Sequence, residues 1–95
     1  MARDKTQLTK AELDTFLSAH PAWKVVDGEL TRTFERPTFV DAIAFVQKVA
    51  ALAEEQQHHP DIDIRYRNVT LALVTHDAGG LTWRDTKLAA DADAL

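Results

Sequence analysis

The sequence predicts a two-layer α+β fold, in which a four-stranded antiparallel sheet carries helices packed on one face. Two pairs of alternating apolar and polar segments, each joined by a short turn, predict two hairpins. Three stretches with apolar residues at helical spacing, each preceded by a threonine cap, predict helices in the order α-β-β-α-β-β-α. Two hairpins that share a sheet, with helices on one face, are the economical packing of this order. At 95 residues, we expect a single domain spanning residues 1–95.

The first helix and the first hairpin have clear local signals. Thr9-x-x-Glu12 is a capping box before an apolar helical pattern, and Pro21 ends that helix. Trp23 to Val26 and Leu30 to Phe34 predict two strands. The Asp27-Gly28 dipeptide between them suits a tight hairpin turn.

The second helix is predicted from about Phe39 to Gln57, after a cap at Thr38-x-x-Asp41. Its wide apolar face is expected to pack on the sheet and comprises Phe39, Ala42, Ile43, Val46, Val49, Ala50 and Ala53. Phe45 and Leu52 fall outside that face, which favours a second contact surface and a homodimer or homotetramer formed through this helix. The alternative interpretation is that these two apolar residues are partly exposed and contact no partner.

The second hairpin and the last helix complete the pattern. His58-His59-Pro60 ends the second helix, because the residue before a proline disfavours helical geometry. Ile62 to Tyr66 and Val69 to His76 alternate as half-buried strands, with a turn near Asn68. Leu81 and the cap at Thr82-x-x-Asp85 then open a helix that runs to the C-terminus.

Composition excludes several classes of function. The formal net charge of −4 and the lack of a Lys/Arg run argue against direct nucleic-acid binding. With no cysteine, the chain has no disulfide, thiolate metal site or cysteine nucleophile. The N-terminus lacks the apolar core of a signal peptide, and no apolar run is long enough to span a bilayer. A cytoplasmic protein without a membrane partner is therefore expected.

Three of the four histidines lie at ends of predicted elements. His58 and His59 end the second helix, and His76 ends the fourth strand before Gly79-Gly80. Histidine exchanges protons near neutral pH without large tuning, which suits a general acid or base. The competing interpretation for one histidine at a helix C-terminus is that it complements the helix dipole.

Two carboxylates lie near these histidines in the sequence. Glu54 precedes His58 by one helical turn, so it can orient a histidine or hold a polar substrate group, although an ordinary solvated i,i+4 contact is the preferred interpretation at this point. Asp85 stands three residues after the Thr82 cap, where an acidic residue stabilises the helix N-terminus on its own account. A metal site made from Glu54, His58, His59, His76 and Asp85 is a further alternative. We expect none, because the paired-histidine helix motif of zinc proteases is absent.

The spacing from Glu54 to Asp85 closely resembles the signature of the pterin-4a-carbinolamine dehydratases. The matching residues run Glu54-x-x-x-His58-His59-Pro60, then Tyr66, then Thr75-His76-x-x-Gly79-Gly80-Leu81-Thr82-x-x-Asp85. The resemblance covers roughly Leu8 to Ala90. Two positions depart from the family pattern: Arg67 separates Tyr66 from Asn68, and Trp83 stands where a polar residue is expected.

The resemblance implies the dehydration of 4a-hydroxytetrahydropterin to quinonoid dihydropterin, without a metal or organic cofactor. It implies that His58 and His76 are the acid–base pair and that His59 contacts the pterin ring. Glu54 and Asp85 would orient histidines or bind the polar edge of the pterin. The family's best-known setting is the recycling of tetrahydrobiopterin beside an aromatic amino-acid hydroxylase.

The same family also implies a rival function, because some members with this fold serve as non-catalytic dimerisation or assembly scaffolds. The assembly relatives have lost parts of the histidine signature, whereas this sequence keeps all of it. Catalysis is therefore the favoured interpretation. The identity of the pterin and the size of the oligomer are not predicted by the sequence.

Overall fold

The computed structural model describes residues 5–95 and has the predicted order of elements. The turn after β4 also contains a short 3-10 segment, His76–Ala78. The helices and strands are α1 Lys10–Ala19, β1 Lys24–Val26, β2 Glu29–Glu35, α2 Phe39–Gln56, β3 Asp61–Arg65, β4 Asn68–Leu73 and α3 Trp83–Asp93.

The four strands form one antiparallel sheet in the order β1-β2-β4-β3, so the two predicted hairpins lie side by side. The first hairpin turns at Asp27-Gly28, where both residues have positive φ angles (51° and 80°), as the dipeptide predicts. The second hairpin turns at Tyr66-Arg67, because Arg65 already pairs with Asn68. Tyr66 adopts a left-handed conformation there, with a φ of 55°.

The helices cover one face of the two central strands, β2 and β4. Every residue of β1 and β3 is exposed, so the prediction that Ile62 to Tyr66 is half-buried is wrong, because β3 is an edge strand beyond the helices. In β4 every second residue is buried, namely Val69, Leu71 and Leu73, and the alternate residues are half-buried. The core joins these strand residues to the two longer helices, and its members are Trp23, Leu30, Phe34, Ala42, Phe45, Val49, Val69, Leu71, Leu73, Leu88, Ala89 and Ala92. Among residues 5–95, no helix combines the length and the apolar character needed to cross a membrane.

The predicted orientation of α2 is wrong for Phe45 and Leu52. Phe45 is only 5% exposed, and its ring centroid lies 4.7 Å from that of Phe34 in β2. Leu52 also packs against the core. The physical reason is that Phe45 packs directly on a residue of the sheet, so the sheet-facing side of α2 includes the Phe45 side of the helix. Phe39, which was expected to face the sheet, is instead 49% exposed.

The fourth histidine belongs to a structural cluster at the end of α3. Asp93 accepts hydrogen bonds from Trp23 Nε1 (2.9 Å), from an Arg32 guanidinium nitrogen (2.6 Å) and from His20 Nδ1 (2.8 Å). His20 also stacks on Phe16, with 4.5 Å between the ring centroids. This cluster ties α3 to α1 and to the first hairpin, so His20 has a sufficient structural role.

Candidate active site

The three histidines singled out in the sequence line one cavity of about 370 Å³. It lies where α2 ends and the 3-10 segment begins, and its lining residues are Gln57, His58, His59, Val74, Thr75, His76, Asp77 and Arg84. A larger cavity of about 420 Å³, between α1 and α3, has no histidine in its lining. The histidines therefore locate the candidate site at the smaller cavity.

The end of α2 directs the two adjacent histidines to different partners. Gln57 adopts the left-handed conformation with a φ of 51° and closes the helix. Its N–H donates to the Glu54 carbonyl (3.3 Å), and the His58 N–H donates to the Ala53 carbonyl (3.0 Å), which together form a Schellman cap. A left-handed non-glycine residue costs about 1–2 kcal/mol, and such strained residues cluster at functional sites.

His58 is held by a buried carboxylate. Its Nε2 lies 2.6 Å from Oδ1 of Asp85, whose side chain has no exposed surface. An ionised carboxylate only accepts hydrogen bonds, so Nε2 carries the proton and Nδ1 is the nitrogen left for proton transfer. The pair links the end of α2 to the first turn of α3.

Asp85 is itself anchored on its second oxygen. Oδ2 accepts from the Thr82 N–H and from the Thr75 hydroxyl, both at 2.9 Å. The Thr82 hydroxyl lies 2.8 Å from that of Thr75 and donates to it, since the Thr75 proton is committed to the carboxylate. Asp85 thus keeps its predicted place in the helix cap and also holds His58.

His59 has a carboxylate partner as well, but an exposed one. Its Nε2 lies 2.6 Å from Oε2 of Glu54, and both side chains are more than half exposed. Glu54 therefore pairs with the second histidine of the motif, not with His58 one turn away. An exposed pair of this kind contributes little to stability, about 0–1 kcal/mol, although it still biases the orientation of the ring.

His76 does not end a strand as predicted, because β4 stops at Leu73. Leu73 pairs with Leu30, near the start of β2, so the chain beyond it has no neighbouring strand with which to pair. The loop is instead closed by a bridge between Thr75 and Gly80, with the Thr75 N–H donating to the Gly80 carbonyl (3.2 Å). His76 begins the 3-10 segment and is exposed in the cavity wall.

An N-terminal segment, residues 5–8, holds the loop that carries His76. Gln7 donates from Nε2 to the Ala78 carbonyl (2.8 Å), and the Leu8 N–H donates to the Leu81 carbonyl (2.8 Å). Lys5 is hydrogen-bonded to Asp77, and this contact lowers the pKa of that carboxyl below its ordinary value. A carboxylate beside His76 therefore stays ionised at neutral pH.

We expect Gly79→Ala to destabilise the fold by about 1–2 kcal/mol, because Gly79 has a φ of 75° and side chains strain that conformation. Urea unfolding of the two proteins measures the difference. Gly80→Ala is the matched control, since Gly80 does not have a positive φ and its added Cβ would meet only the movable end of Gln7, 2.9 Å from Oε1. A loss from Gly80→Ala as large as that from Gly79→Ala would contradict the assignment.

Four lining residues were not predicted as site residues from the sequence, namely Gln57, Val74, Asp77 and Arg84. Gln57 was seen only as the end of a helix, and its left-handed conformation has no sequence signal comparable to a glycine. Arg84 lies within the Thr82-x-x-Asp85 spacing, but a cation in the first turn of a helix carries no signal for a site. Its position between Thr82 and Asp85 of the motif is the one feature of the sequence that could have indicated it.

The candidate metal ligands divide into separate groups. Asp85 holds His58, Glu54 holds His59, and His76 lies on a different loop. Among residues 5–95, no group of three or more histidine and acidic side chains is arranged to hold a metal ion. What the cavity does present is imidazole groups at its wall, two of them backed by carboxylates, which is an arrangement suited to proton transfer.

Comparison with known proteins assigns nearly the whole chain to one protein family. Residues 6–95 match the family model described as pterin 4 alpha carbinolamine dehydratase. A protein of Acidobacterium capsulatum named "Putative pterin-4-alpha-carbinolamine dehydratase" is 58% identical over 94% of this chain and 97% of its own. One of the same name from Roseiflexus sp. is 51% identical over 95% and 97%.

A solved structure agrees with these sequence matches. The crystal structure described as a transcriptional coactivator/pterin dehydratase from Brucella melitensis superposes with a TM-score of 0.88 at 34% sequence identity. The superposition covers 94% of this chain and 97% of the Brucella chain. The predicted fold and the resemblance noted in the sequence are therefore both confirmed.

Proposed function

Because the chain belongs to the pterin 4 alpha carbinolamine dehydratase family, we propose that it converts 4a-hydroxytetrahydropterin to quinonoid dihydropterin by histidine acid–base catalysis. The observation that carries the proposal is that His58, His59 and His76 line one cavity. An enzyme that breaks a carbon–oxygen bond and releases water in this way is a hydro-lyase.

The chemistry requires two proton transfers. The bond from C4a to its hydroxyl breaks as that oxygen takes a proton and leaves as water, and the electron pair comes from N5 as its N–H proton departs. One general acid and one general base complete the balance, so the step needs no oxidant, metal or organic cofactor. His58 and His76 are the proposed acid–base pair, one at the hydroxyl and the other at N5.

The remaining residues have supporting roles in this proposal. His59 contacts the pterin ring, with Glu54 biasing its orientation through their hydrogen bond. Asp85 is a positioning residue that acts through His58, since its carboxylate is fully buried behind that histidine. The family setting extends the proposal to the recycling of a tetrahydropterin cofactor beside an aromatic amino-acid hydroxylase.

A direct turnover assay tests the proposal. The purified chain should accelerate the disappearance of a 4a-carbinolamine over its spontaneous dehydration by at least about 10²-fold, the lower end for one general acid or base. The same activity should persist after dialysis against EDTA. Activity that is lost on chelation and restored by a metal ion would favour the metal-dependent alternative, and no acceleration at all would leave a non-catalytic scaffold role standing.

The proposal also includes a homodimer or homotetramer formed through the second helix. Because Phe45 and Leu52 pack within the fold, the proposed contact surface lies at other residues of α2. Phe39 and Val40, at the start of α2, are 49% and 73% exposed. Two large apolar side chains exposed next to each other indicate a contact surface for another protein. A chain this short also gains burial from association.

We expect Val40→Asp to shift the oligomer toward the 10.6 kDa monomer, because a carboxylate buried at an apolar contact is strongly unfavourable. Size-exclusion chromatography with light scattering measures the mass of both proteins. Val26→Asp, at an exposed valine of β1, is the control that should leave the mass unchanged. A wild-type chain that is monomeric at micromolar concentration would contradict the oligomer.

A further inference from the structure

The loop of residues 76–80 carries His76 and lies beyond the last strand of the sheet. β4 stops at Leu73, and the bridge between Thr75 and Gly80 closes the loop on itself. Further backbone hydrogen bonds of 3.0 and 3.1 Å join residues within the same turn. The His76 imidazole is exposed and has no hydrogen-bonded partner within residues 5–95. Its position therefore depends on the backbone that carries it.

Side chains of the N-terminal segment contact this loop from outside. Gln7 donates from Nε2 to the Ala78 carbonyl (2.8 Å), and Lys5 is hydrogen-bonded to Asp77. Neither side chain is part of the cavity lining. The Lys5 pair is exposed, and Asp77 also interacts with Arg84, so this ion pair holds the loop weakly. The hydrogen bond of Gln7 is the more direct restraint, because it acts on the backbone of the loop.

The second glycine of the Gly79-Gly80 pair makes room for the Gln7 amide. Gly80 does not have a positive φ, so its backbone conformation alone does not require glycine. A Cβ added at Gly80 would lie 2.9 Å from Oε1 and 3.0 Å from Cδ of Gln7, whereas a Cβ at Gly79 would lie 3.6 Å from Nε2. The Gln7 amide thus fills the space that a side chain at residue 80 would occupy.

We infer that Gln7 is a positioning residue of the candidate active site. Its hydrogen bond to the Ala78 carbonyl, made against Gly80, fixes the loop so that the His76 imidazole lies at the cavity wall. Gln7 acts on the backbone behind His76 and does not touch the substrate. This inference rests on the proposed dehydratase function, in which His76 carries a proton, and it adds a residue outside the histidine motif.

Proton transfer is sensitive to a restraint of this kind. A general acid or base has to lie within hydrogen-bond reach of the proton that it transfers, about 2.6–3.2 Å between heavy atoms. A displacement of about 1 Å, caused by a mutation far from the chemistry, can cost about 10²-fold in rate. Because His76 has no partner that orients its ring, any motion of the loop moves the imidazole with it. Loss of the Gln7 contact should therefore slow the chemical step and leave substrate binding unchanged.

Steady-state kinetics of Gln7→Ala with a 4a-carbinolamine are the first test. Gln7 is exposed, so the variant should fold, and we expect kcat to fall about tenfold with little change in KM. Lys10→Ala is the matched control and should keep the wild-type kcat, since it removes another exposed side chain, one bonded to Asp14 within α1. An unchanged kcat in Gln7→Ala, or a loss confined to KM, would overturn the inference and leave the dehydratase function intact.

Gly80→Ala tests the same contact without changing Gln7. The added Cβ displaces the Gln7 amide from its place beside the loop. We expect a similar fall in kcat, about tenfold, and no further loss when Gln7→Ala is combined with it, because residues that act through one contact are not additive. Losses that multiply to about 10²-fold in the double variant would show that the two residues act separately, and would contradict the inference.

The order of the loop provides a readout that does not need turnover. Backbone ¹⁵N relaxation should give His76 an order parameter of about 0.85 in the wild type and below about 0.6 in Gln7→Ala, the values of a rigid and a flexible backbone. Equal order parameters in the two proteins would count against the positioning role. No acceleration of dehydration by the wild-type chain would instead contradict the proposed function itself.

Discussion

His76→Ala should reduce kcat for carbinolamine dehydration by about 10²–10⁴-fold, the usual contribution of one general acid or base. His76 is exposed at the cavity wall, and its imidazole has no hydrogen-bonded partner within residues 5–95. Its removal therefore deletes the proposed proton carrier without leaving a buried group unsatisfied, and the fold should be unaffected. Single-turnover measurements with a 4a-carbinolamine, corrected for spontaneous dehydration, determine the change.

The matched control is His20→Ala, which removes the histidine that lies outside the site. His20 bonds to Asp93 and stacks on Phe16 at the far end of α1. This variant should lose some stability and keep its turnover, the reverse of what we expect for His76→Ala. A rate for His76→Ala within a few-fold of the wild type would remove His76 from the acid–base pair.

Asp85→Ala should lower the free energy of unfolding by several kcal/mol, about 1–3 kcal/mol for each buried hydrogen-bonding group left unsatisfied. The substitution leaves three donors without an acceptor: His58 Nε2–H, the Thr75 hydroxyl and the Thr82 N–H. A loss of this size is a large share of the roughly 5–15 kcal/mol that stabilises a typical domain. Urea unfolding at a fixed pH measures it.

The chain supplies a close control for this experiment. Asp41 occupies the same position after the Thr38 cap of α2 as Asp85 does after Thr82, but its side chain is exposed. Asp41→Ala should therefore cost only the helix-dipole contribution, about 0.3–1 kcal/mol. Equal losses at the two positions would mean that Asp85 is no more than a helix cap.

Asp85→Asn separates positioning from stability. The amide keeps the shape of the side chain but has a single acceptor oxygen for three donors, so His58 loses the partner that assigns its tautomer. We expect a fall in kcat with little change in KM, because Asp85 reaches the substrate only through His58. A variant with wild-type kcat would restrict Asp85 to the fold.

Local signals in the sequence were enough for most of the fold. The caps at Thr9, Thr38 and Thr82 and the Asp27-Gly28 turn act within a few residues, so their outcome could be predicted without knowledge of the neighbours. The orientation of α2 could not be predicted in this way. Apolar residues occupy more than half of its circumference, and only the packing of the folded chain, with Phe45 against Phe34 of the sheet, decided that Phe45 is buried and Phe39 exposed.

The candidate site also combines features that the sequence predicts with features that only the tertiary structure decides. The sequence by itself determined which residues we propose for the chemistry, because the Glu54 to Asp85 motif is a matter of residue type and spacing. Only the tertiary structure decided their partners: Asp85 with His58 and Glu54 with His59, with His76 on a 3-10 segment instead of a strand end. The physical reason is that hydrogen bonds depend on distances in space. The fold brings Asp85 to His58 across 27 positions of sequence, which no periodicity along the chain encodes.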